Sequence, residues 1–126
     1  MARVILADDE PTHLELVTAI LERAGHEVVA VGDGKACLDL LAKDSFHLVV
    51  TDIFMPNLDG FQLMAAIRAH GNPVPVIGMT GGMNGRVAPF TNVMSRLGAY
   101  SILTKPFSAD QLLAAVRSAL NSSADS

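Results

Sequence analysis

The sequence predicts an α/β fold, a five-stranded parallel sheet doubly wound by helices on both faces. Short, continuously apolar runs alternate five times with segments whose apolar residues recur at helical spacing. This alternation is typical of repeated β-α units, which build a parallel sheet covered by helices on both sides. The length of 126 residues suits one domain, since a chain of this size buries roughly two thirds of its unfolded surface.

Each predicted strand is a short, mostly aliphatic run bounded by polar or turn-forming residues. HLVVT, for example, contains consecutive apolar residues, as expected of a strand that is covered on both faces. PVIGMT follows NPVP, which gives a rigid connection. In chain order, the strands are predicted at residues 4–7, within 26–34 ahead of a turn, at 47–51, at 75–80 and at 100–104.

The helices are predicted from apolar residues at three- and four-residue spacing, with capping residues at their ends. Thr12 or Asp9 is expected to cap the first helix and Gly25 to end it. Ser108 is expected to cap the last helix, ahead of a polar, frayed tail. The helices are predicted from Pro11 to Gly25, at 36–44, at 61–70, near 89–97 and from Ser108 to Ala119, so that residues 1–120 form the domain and 121–126 a flexible tail.

The composition excludes several classes of protein. The net charge of −4 and the absence of a clustered basic face argue against direct nucleic-acid binding. No apolar run approaches the ~20 residues that cross a bilayer, and the N-terminal apolar run ends in acids, unlike a signal peptide. Cys37 is the single cysteine and excludes an internal disulfide, so we expect a cytoplasmic protein, with this thiol as a small core hydrophobe.

Polar residues with chemical potential stand where the predicted strands end. Asp8 and Asp9 follow the first strand, Asp52 follows the third, Thr80 ends the fourth and Lys105 follows the fifth. In an open α/β sheet, ligands bind outside the carboxyl ends of the strands. We therefore expect these five side chains to meet at one edge of the sheet.

The chemistry of this set favours phosphoryl transfer. Three nearby carboxylates cannot all ionise without a cation, and oxygen ligands suit Mg²⁺. No His or Cys is expected at that edge to recruit zinc, and the four histidines are interpreted as structural or exposed. A carboxylate can act as a nucleophile and form an aspartyl phosphate. Thr80 and Lys105 would then hold the phosphoryl oxygens, by hydrogen bond and by charge.

Four segments in a fixed order resemble the receiver domain of two-component response regulators, in particular its single-domain, chemotaxis-regulator-like members. They are ILADDEP, VVTDIFMPNLDGFQL, VIGMT and LTKPF, and the resemblance covers essentially the whole chain. It implies a flavodoxin-like sheet with strand order 2-1-3-4-5.

The resemblance also implies a role for each matching residue. Asp52 matches the phosphoacceptor. Asp8 and Asp9 match the acidic pair that binds Mg²⁺ together with Asp52, and the backbone carbonyl of Phe54 matches a further metal ligand.

Two more positions match residues that respond to the phosphoryl group. Thr80 matches the switch hydroxyl, and Lys105 matches the lysine of the family. The bond between Lys105 and Pro106 is expected to be cis, and this expectation comes from the resemblance alone, since only ~5% of X–Pro bonds are cis.

The chain departs from the family pattern in two places. Ile102 stands where relatives usually carry the aromatic partner of the switch threonine, and Tyr100 is expected on the same side of the strand by alternation. The glycine-rich segment 81–86 is longer than is usual. With the helix from Pro89, it is expected to form a flexible output face.

The resulting prediction is a stand-alone receiver that is not an enzyme beyond its own phosphorylation and dephosphorylation. A histidine kinase or histidine phosphotransfer protein would donate the phosphoryl group, and a downstream effector protein would read the result. The alternative is a receiver-like docking module that works without phosphorylation. A flavodoxin-like FMN binder would need a Ser/Thr-rich loop where ADDEP stands, and an aspartate-nucleophile phosphatase would need an acid in place of Phe54.

Overall fold

The computed structural model describes residues 1–81, 93 and 95–124, which form a parallel sheet between two layers of helices. In chain order the elements are β1 (Arg3–Ala7), α1 (Pro11–Arg23), β2 (Glu27–Val31), α2 (Gly34–Lys43), β3 (Leu48–Asp52), α3 (Gly60–Ala69), β4 (Val76–Gly81), β5 (Ser101–Lys105) and α4 (Ala109–Ala124). The strand order is β2-β1-β3-β4-β5 and every neighbouring pair is parallel, which confirms the predicted fold.

Strand β1 shows why the apolar runs do not alternate with polar residues. Val4 and Leu6 belong to one hydrophobic core, whereas Ile5 and Ala7 belong to the core on the other face of the sheet. Successive side chains of a strand point to opposite faces, so a strand covered on both sides needs apolar residues at every position. All four of these side chains are fully buried.

The helices divide between the two faces as the hydrophobic clusters require. One core contains buried residues of α1 and α4, and the other contains buried residues of α2 and α3. Cys37 of α2 lies in the second core, as predicted, and burial raises the pKa of its thiol to about 12. Across the described part of the chain, none of the helices combines the length and the apolarity that a membrane crossing requires.

The first helix begins differently from the sequence prediction. Glu10, rather than Thr12 or Asp9, is the N-cap, and its carboxylate accepts hydrogen bonds from the backbone N–H groups of Thr12 and His13. Asp9 cannot serve because Pro11 is the first helical residue, so the cap must immediately precede it. Gly25 follows the C-cap with a φ of +94° and ends the helix, as predicted.

Two other helices are longer than predicted. Helix α2 begins at Gly34, two residues before the predicted start, because the Asp33 carboxylate caps it by accepting the N–H of Ala36. Helix α4 is capped by Ser108, as predicted, but continues to Ala124 into the segment expected to be a tail. The predicted helix at 89–97 and the glycine-rich loop beyond Gly81 fall largely outside the described residues.

The loop between β3 and α3 is fixed by close contact with the start of α2. Asn57 adopts a left-handed φ of +68°, and its amide lies 3.4 Å from the carboxylate of Asp33. A Cβ atom at Gly34 would lie 2.4 Å from the carbonyl oxygen of Leu58, so only glycine permits this approach. The loop that follows the end of β3 is therefore held in place by the neighbouring helix.

We expect Gly34→Ala to destabilise the fold, although alanine is intrinsically the better helix residue. The added methyl group would overlap the carbonyl of Leu58 and should lower the free energy of unfolding by about 1–3 kcal/mol, measured by urea denaturation. Gly32→Ala is the matched control, because a Cβ there would meet nothing within 4 Å. Equal stability of the two variants would show that the close approach of the loop to α2 is not required.

Candidate functional site

The structure brings three carboxylates together at the carboxyl edge of the sheet. Asp8 and Asp9 follow β1 and Asp52 ends β3, and these strands are neighbours at the point where the strand order reverses. One carboxylate oxygen from each residue can be chosen so that all three atoms lie within 4.8 Å of one another. The convergence predicted from the strand ends is therefore present.

Asp52 is held on both sides of its carboxylate. The residue is 7% exposed. Its Oδ1 accepts a hydrogen bond from the backbone N–H of Ile53 at 2.9 Å, and its Oδ2 lies 3.1 Å from Nζ of Lys105. The lysine reaches Asp52 from β5, two strands away from β3. Asp52 is thus held by two contacts, and 11% of its side chain remains exposed to solvent.

The electrostatic environment of Asp52 opposes its ionisation. Burial is the main cause that raises the pKa of Asp52, and the negative charge of Asp8 raises it further. The ammonium group of Lys105 and the N–H of Ile53 act in the opposite direction but do not cancel the effect of burial. A further positive charge at this site would therefore stabilise the ionised cluster.

Asp8 is the most deeply buried acid of the cluster, at 1% exposure. Its Oδ1 accepts the backbone N–H of Glu10 at 2.9 Å, and its Oδ2 lies 2.5 Å from Nδ1 of His13. Nζ of Lys105 lies 3.7 Å from the same Oδ2. The expectation that no histidine lies at this edge was wrong, because α1 begins there and brings His13 back over Asp8.

The oxygen donors fit a hard divalent cation. Asp9 is exposed, whereas Asp8 and Asp52 are buried. A cation would therefore enter the site from solvent on the side of Asp9. The grouped ligand atoms are all carboxylate oxygens, the donors that Mg²⁺ prefers. Phe54 follows two residues after Asp52, and its side chain is 44% exposed and stacks edge-on against Phe61. A role for its carbonyl remains a prediction.

Thr80 and Lys105 lie at the same edge as the acids. In the register of β4 and β5, Thr80 pairs with Thr104 and the next step pairs Gly81 with Lys105. Thr80 is fully buried and its hydroxyl donates to the carbonyl of Gly81 at 3.3 Å. The peptide bond between Lys105 and Pro106 is cis, as the resemblance implied.

Ile102, at the expected switch position, and Tyr100, two residues before it, contact different parts of the fold. Ile102 packs with the core on the α2 and α3 side of the sheet. The hydroxyl of Tyr100 lies 2.6 Å from Oγ of Ser118 in α4. The alternation predicted for Tyr100 does not apply, because Tyr100 precedes the first residue of β5.

Most of the chain is similar to known response regulators. The sequence model of the response regulator receiver domain matches residues 4–117. Response regulator protein FleR of Pseudomonas aeruginosa is 40% identical over 112 residues, which cover 89% of this chain and 23% of FleR. Transcriptional regulatory protein FixJ of Bradyrhizobium diazoefficiens is 37% identical over 117 residues, covering 93% of this chain and 56% of FixJ.

A solved structure shows the same fold. The receiver domain of the Francisella response regulator 1452 superimposes with a TM-score of 0.87 at 27% identity, covering 96% of this chain and 98% of that chain. The chain described here spans only part of the length of FleR and FixJ. The similarity to those two proteins therefore concerns one domain of each.

The raised pKa of Asp52 predicts how stability depends on pH. A carboxyl whose pKa is higher in the folded protein binds more protons when folded, so the free energy of unfolding falls as pH rises above the unfolded value, near 3.8. Asp52→Asn removes this loss. In chelator-treated protein at pH 7, it should raise the free energy of unfolding by about 0.5–2 kcal/mol, measured by urea denaturation.

The gain should shrink as the pH falls toward 3.8 and be absent below it, because the carboxyl is then protonated in both the folded and the unfolded state. Asp39→Asn is the control, since Asp39 is an exposed acid of α2 and its loss should change stability by less than about 0.5 kcal/mol. A gain that is independent of pH, or a loss of stability at pH 7, would contradict the electrostatic account of Asp52.

Proposed function

Because the chain belongs to the response regulator receiver domain family, to which 4–117 match, we propose that it accepts a phosphoryl group on Asp52. The donor is a phosphohistidine of a histidine kinase or a histidine phosphotransfer protein. The observation that supports this most directly is the position of Asp52, in contact with Lys105 and within reach of two further carboxylates. We take residues 1–120 as the phosphoacceptor unit.

Asp52 supplies the nucleophile. A carboxylate oxygen forms the new bond to phosphorus while the bond from phosphorus to the imidazole nitrogen of the donor breaks, and the imidazole leaves with the electron pair. The N–H of Ile53 holds Oδ1 at 2.9 Å and fixes the orientation of the carboxylate during attack. Positioning and charge, rather than further covalent chemistry, carry the reaction.

The acidic pair provides the place for a cation. Asp8 and Asp9, together with Asp52 and the carbonyl of Phe54, would hold Mg²⁺. When bound, this ion neutralises negative charge on the phosphoryl oxygens. The buried Asp8 is fixed by the N–H of Glu10 and so offers a preorganised ligand, whereas the exposed Asp9 is free to adjust.

Lys105 and Thr80 act on the product. The ammonium of Lys105 already lies 3.1 Å from Oδ2 of Asp52. After phosphorylation, this ammonium would form its ion pair with a phosphoryl oxygen instead of the carboxylate. The hydroxyl of Thr80 would exchange its bond to the Gly81 carbonyl for one to a phosphoryl oxygen. These two exchanges would shift an existing equilibrium between two surfaces of the domain.

The output is a protein contact rather than a reaction on another substrate. A downstream effector would bind the surface that phosphorylation favours, and the protein would act in the cytoplasm, where histidine kinases place their phosphohistidine. Ile102 packs against the core and Tyr100 is hydrogen-bonded to Ser118. The movement of an aromatic residue of β5 that accompanies the switch threonine in the family would therefore be absent here. The alternative, docking without phosphorylation, predicts that substitution of Asp52 leaves partner binding unchanged.

Incubation with a small-molecule phosphoryl donor and Mg²⁺ should add one phosphoryl group to the protein. Intact-mass spectrometry measures the gain, and hydroxylamine should reverse it, because an aspartyl phosphate is a reactive acyl phosphate. Asp52→Asn keeps the size of the side chain and should abolish the gain, while Asp39→Asn should not affect it. Modification that survives in Asp52→Asn would contradict the assignment of the acceptor.

Mg²⁺ alone should bind and stabilise the folded protein. At a concentration 100 times the dissociation constant, it should raise the free energy of unfolding by about 2.7 kcal/mol, measured by urea denaturation with and without MgCl₂. Asp9→Asn removes an exposed ligand and should abolish most of this Mg²⁺-dependent increase in the free energy of unfolding.

Glu22→Gln provides the matched control for Asp9→Asn. It removes the same unit of charge near the opposite end of α1 and should keep the full gain from Mg²⁺. An equal gain in Asp9→Asn and Glu22→Gln would show that Mg²⁺ acts through general screening rather than at the acidic cluster.

A further inference from the structure

We propose that His13 is a positioning residue that holds the Asp8 carboxylate in the orientation required to bind the divalent cation. The inference rests on the proposed function, because it concerns the same cation site. It assigns a task to a side chain that lies outside the metal-ligating carboxylate group. The contact between His13 and Asp8 carries it.

Both oxygens of Asp8 are engaged before any cation binds. The backbone N–H of Glu10 donates to Oδ1 at 2.9 Å, and Nδ1 of His13 lies 2.5 Å from Oδ2. An ionised carboxylate can only accept, so Nδ1 of His13 carries the hydrogen of this bond. The Asp8 side chain is fully buried and that of His13 is 19% exposed, so water competes little for the contact.

The imidazole ring of His13 is itself held in place. Its backbone N–H donates to the Glu10 carboxylate at 2.7 Å, which fixes the first turn of α1. The ring packs edge-on against Phe107, with centroids 5.7 Å apart and planes at 77°. The ring of His13 therefore lies between Asp8 and Phe107, in contact with both.

These contacts determine how Asp8 can serve a cation. A carboxylate has about four lone-pair positions, and two hydrogen bonds leave two of them for a metal ion. With both oxygens bonded, rotation of the carboxylate would break one of the two contacts. Loss of a partner that orients a metal ligand typically lowers metal affinity 10- to 100-fold, about the range expected here. Lys105, at 3.7 Å from Oδ2, is too distant to replace the hydrogen bond.

A purely structural role would rest on the contact with Phe107 alone, and two variants separate the roles. His13→Phe keeps an aromatic ring near Phe107 but has no donor. His13→Asn loses the ring but offers an amide N–H near the position of Nδ1. If the hydrogen bond to Asp8 matters, Asn should preserve cation binding and Phe should not. If packing matters, the order should reverse.

The experiment is a calorimetric titration of each variant of the 126-residue chain with MgCl₂ at one fixed pH, with urea denaturation of the metal-free proteins alongside. His13→Phe should weaken Mg²⁺ binding by about 10-fold or more, and His13→Asn by no more than about threefold. The amide resonance of Glu10 in the metal-free protein should shift in His13→Phe, because its acceptor on Asp8 moves. If His13→Phe does not fold, His13→Leu replaces it as the variant without a donor.

The outcomes separate this proposal from the proposed function. Wild-type affinity in His13→Phe, or equal loss in His13→Phe and His13→Asn, would overturn the role of the hydrogen bond while leaving the cation site intact. A wild-type protein that takes up no Mg²⁺ would overturn the cation site itself, and the proposal for His13 with it. Loss in His13→Phe with rescue in His13→Asn supports both.

Discussion

The convergence of three carboxylates at one edge of the sheet is the constraint to which the rest of the site responds. Strands β1 and β3 are hydrogen-bonded neighbours, so their ends lie only ~4.8 Å apart. Acids that follow both strands are therefore held near each other, and their negative charges repel. The core explains why the sheet cannot yield, since the residues of β1 that lead to Asp8 are fully buried on both faces.

The fold reduces this repulsion only in part. Lys105 reaches Asp52 and approaches Asp8, and backbone N–H groups of Glu10 and Ile53 donate to the two carboxylates. Even so, burial keeps the pKa of Asp52 above its ordinary value. A protein selected for stability alone would place apolar residues here, so the retained strain indicates a functional site. In the proposed function, the negative charge that weakens the folded state is the same charge that would attract a cation and attack phosphorus.

The sequence was sufficient to predict the strands of the sheet and the convergence of the acids, because strand periodicity and strand ends are local signals. The strand order was predicted from the resemblance to the family. It was insufficient where the result depends on how the chain turns between elements. His13 lies five residues beyond Asp8, and nothing in that spacing reveals that the turn at Glu10 brings the ring onto the carboxylate. Glutamate is also a less common cap than aspartate or threonine, so Glu10 was overlooked. The polar end of α4 lacked an apolar pattern, although an exposed helix end does not need one.

The contacts around the site also indicate which residues would move first if the charge at Asp52 changed. Lys105 is the cation paired with Asp52 among the described residues, and a phosphoryl group there would draw its ammonium toward new oxygens. Lys105 stands two residues before Phe107, whose ring packs against His13, and His13 holds Asp8. These contacts form a continuous path from Asp52 through the segment after β5 and the first turn of α1 back to the acidic cluster. Because the core residues behind these contacts are buried, we expect a displacement of Lys105 to be accommodated at the starts of α1 and α4 rather than within the sheet.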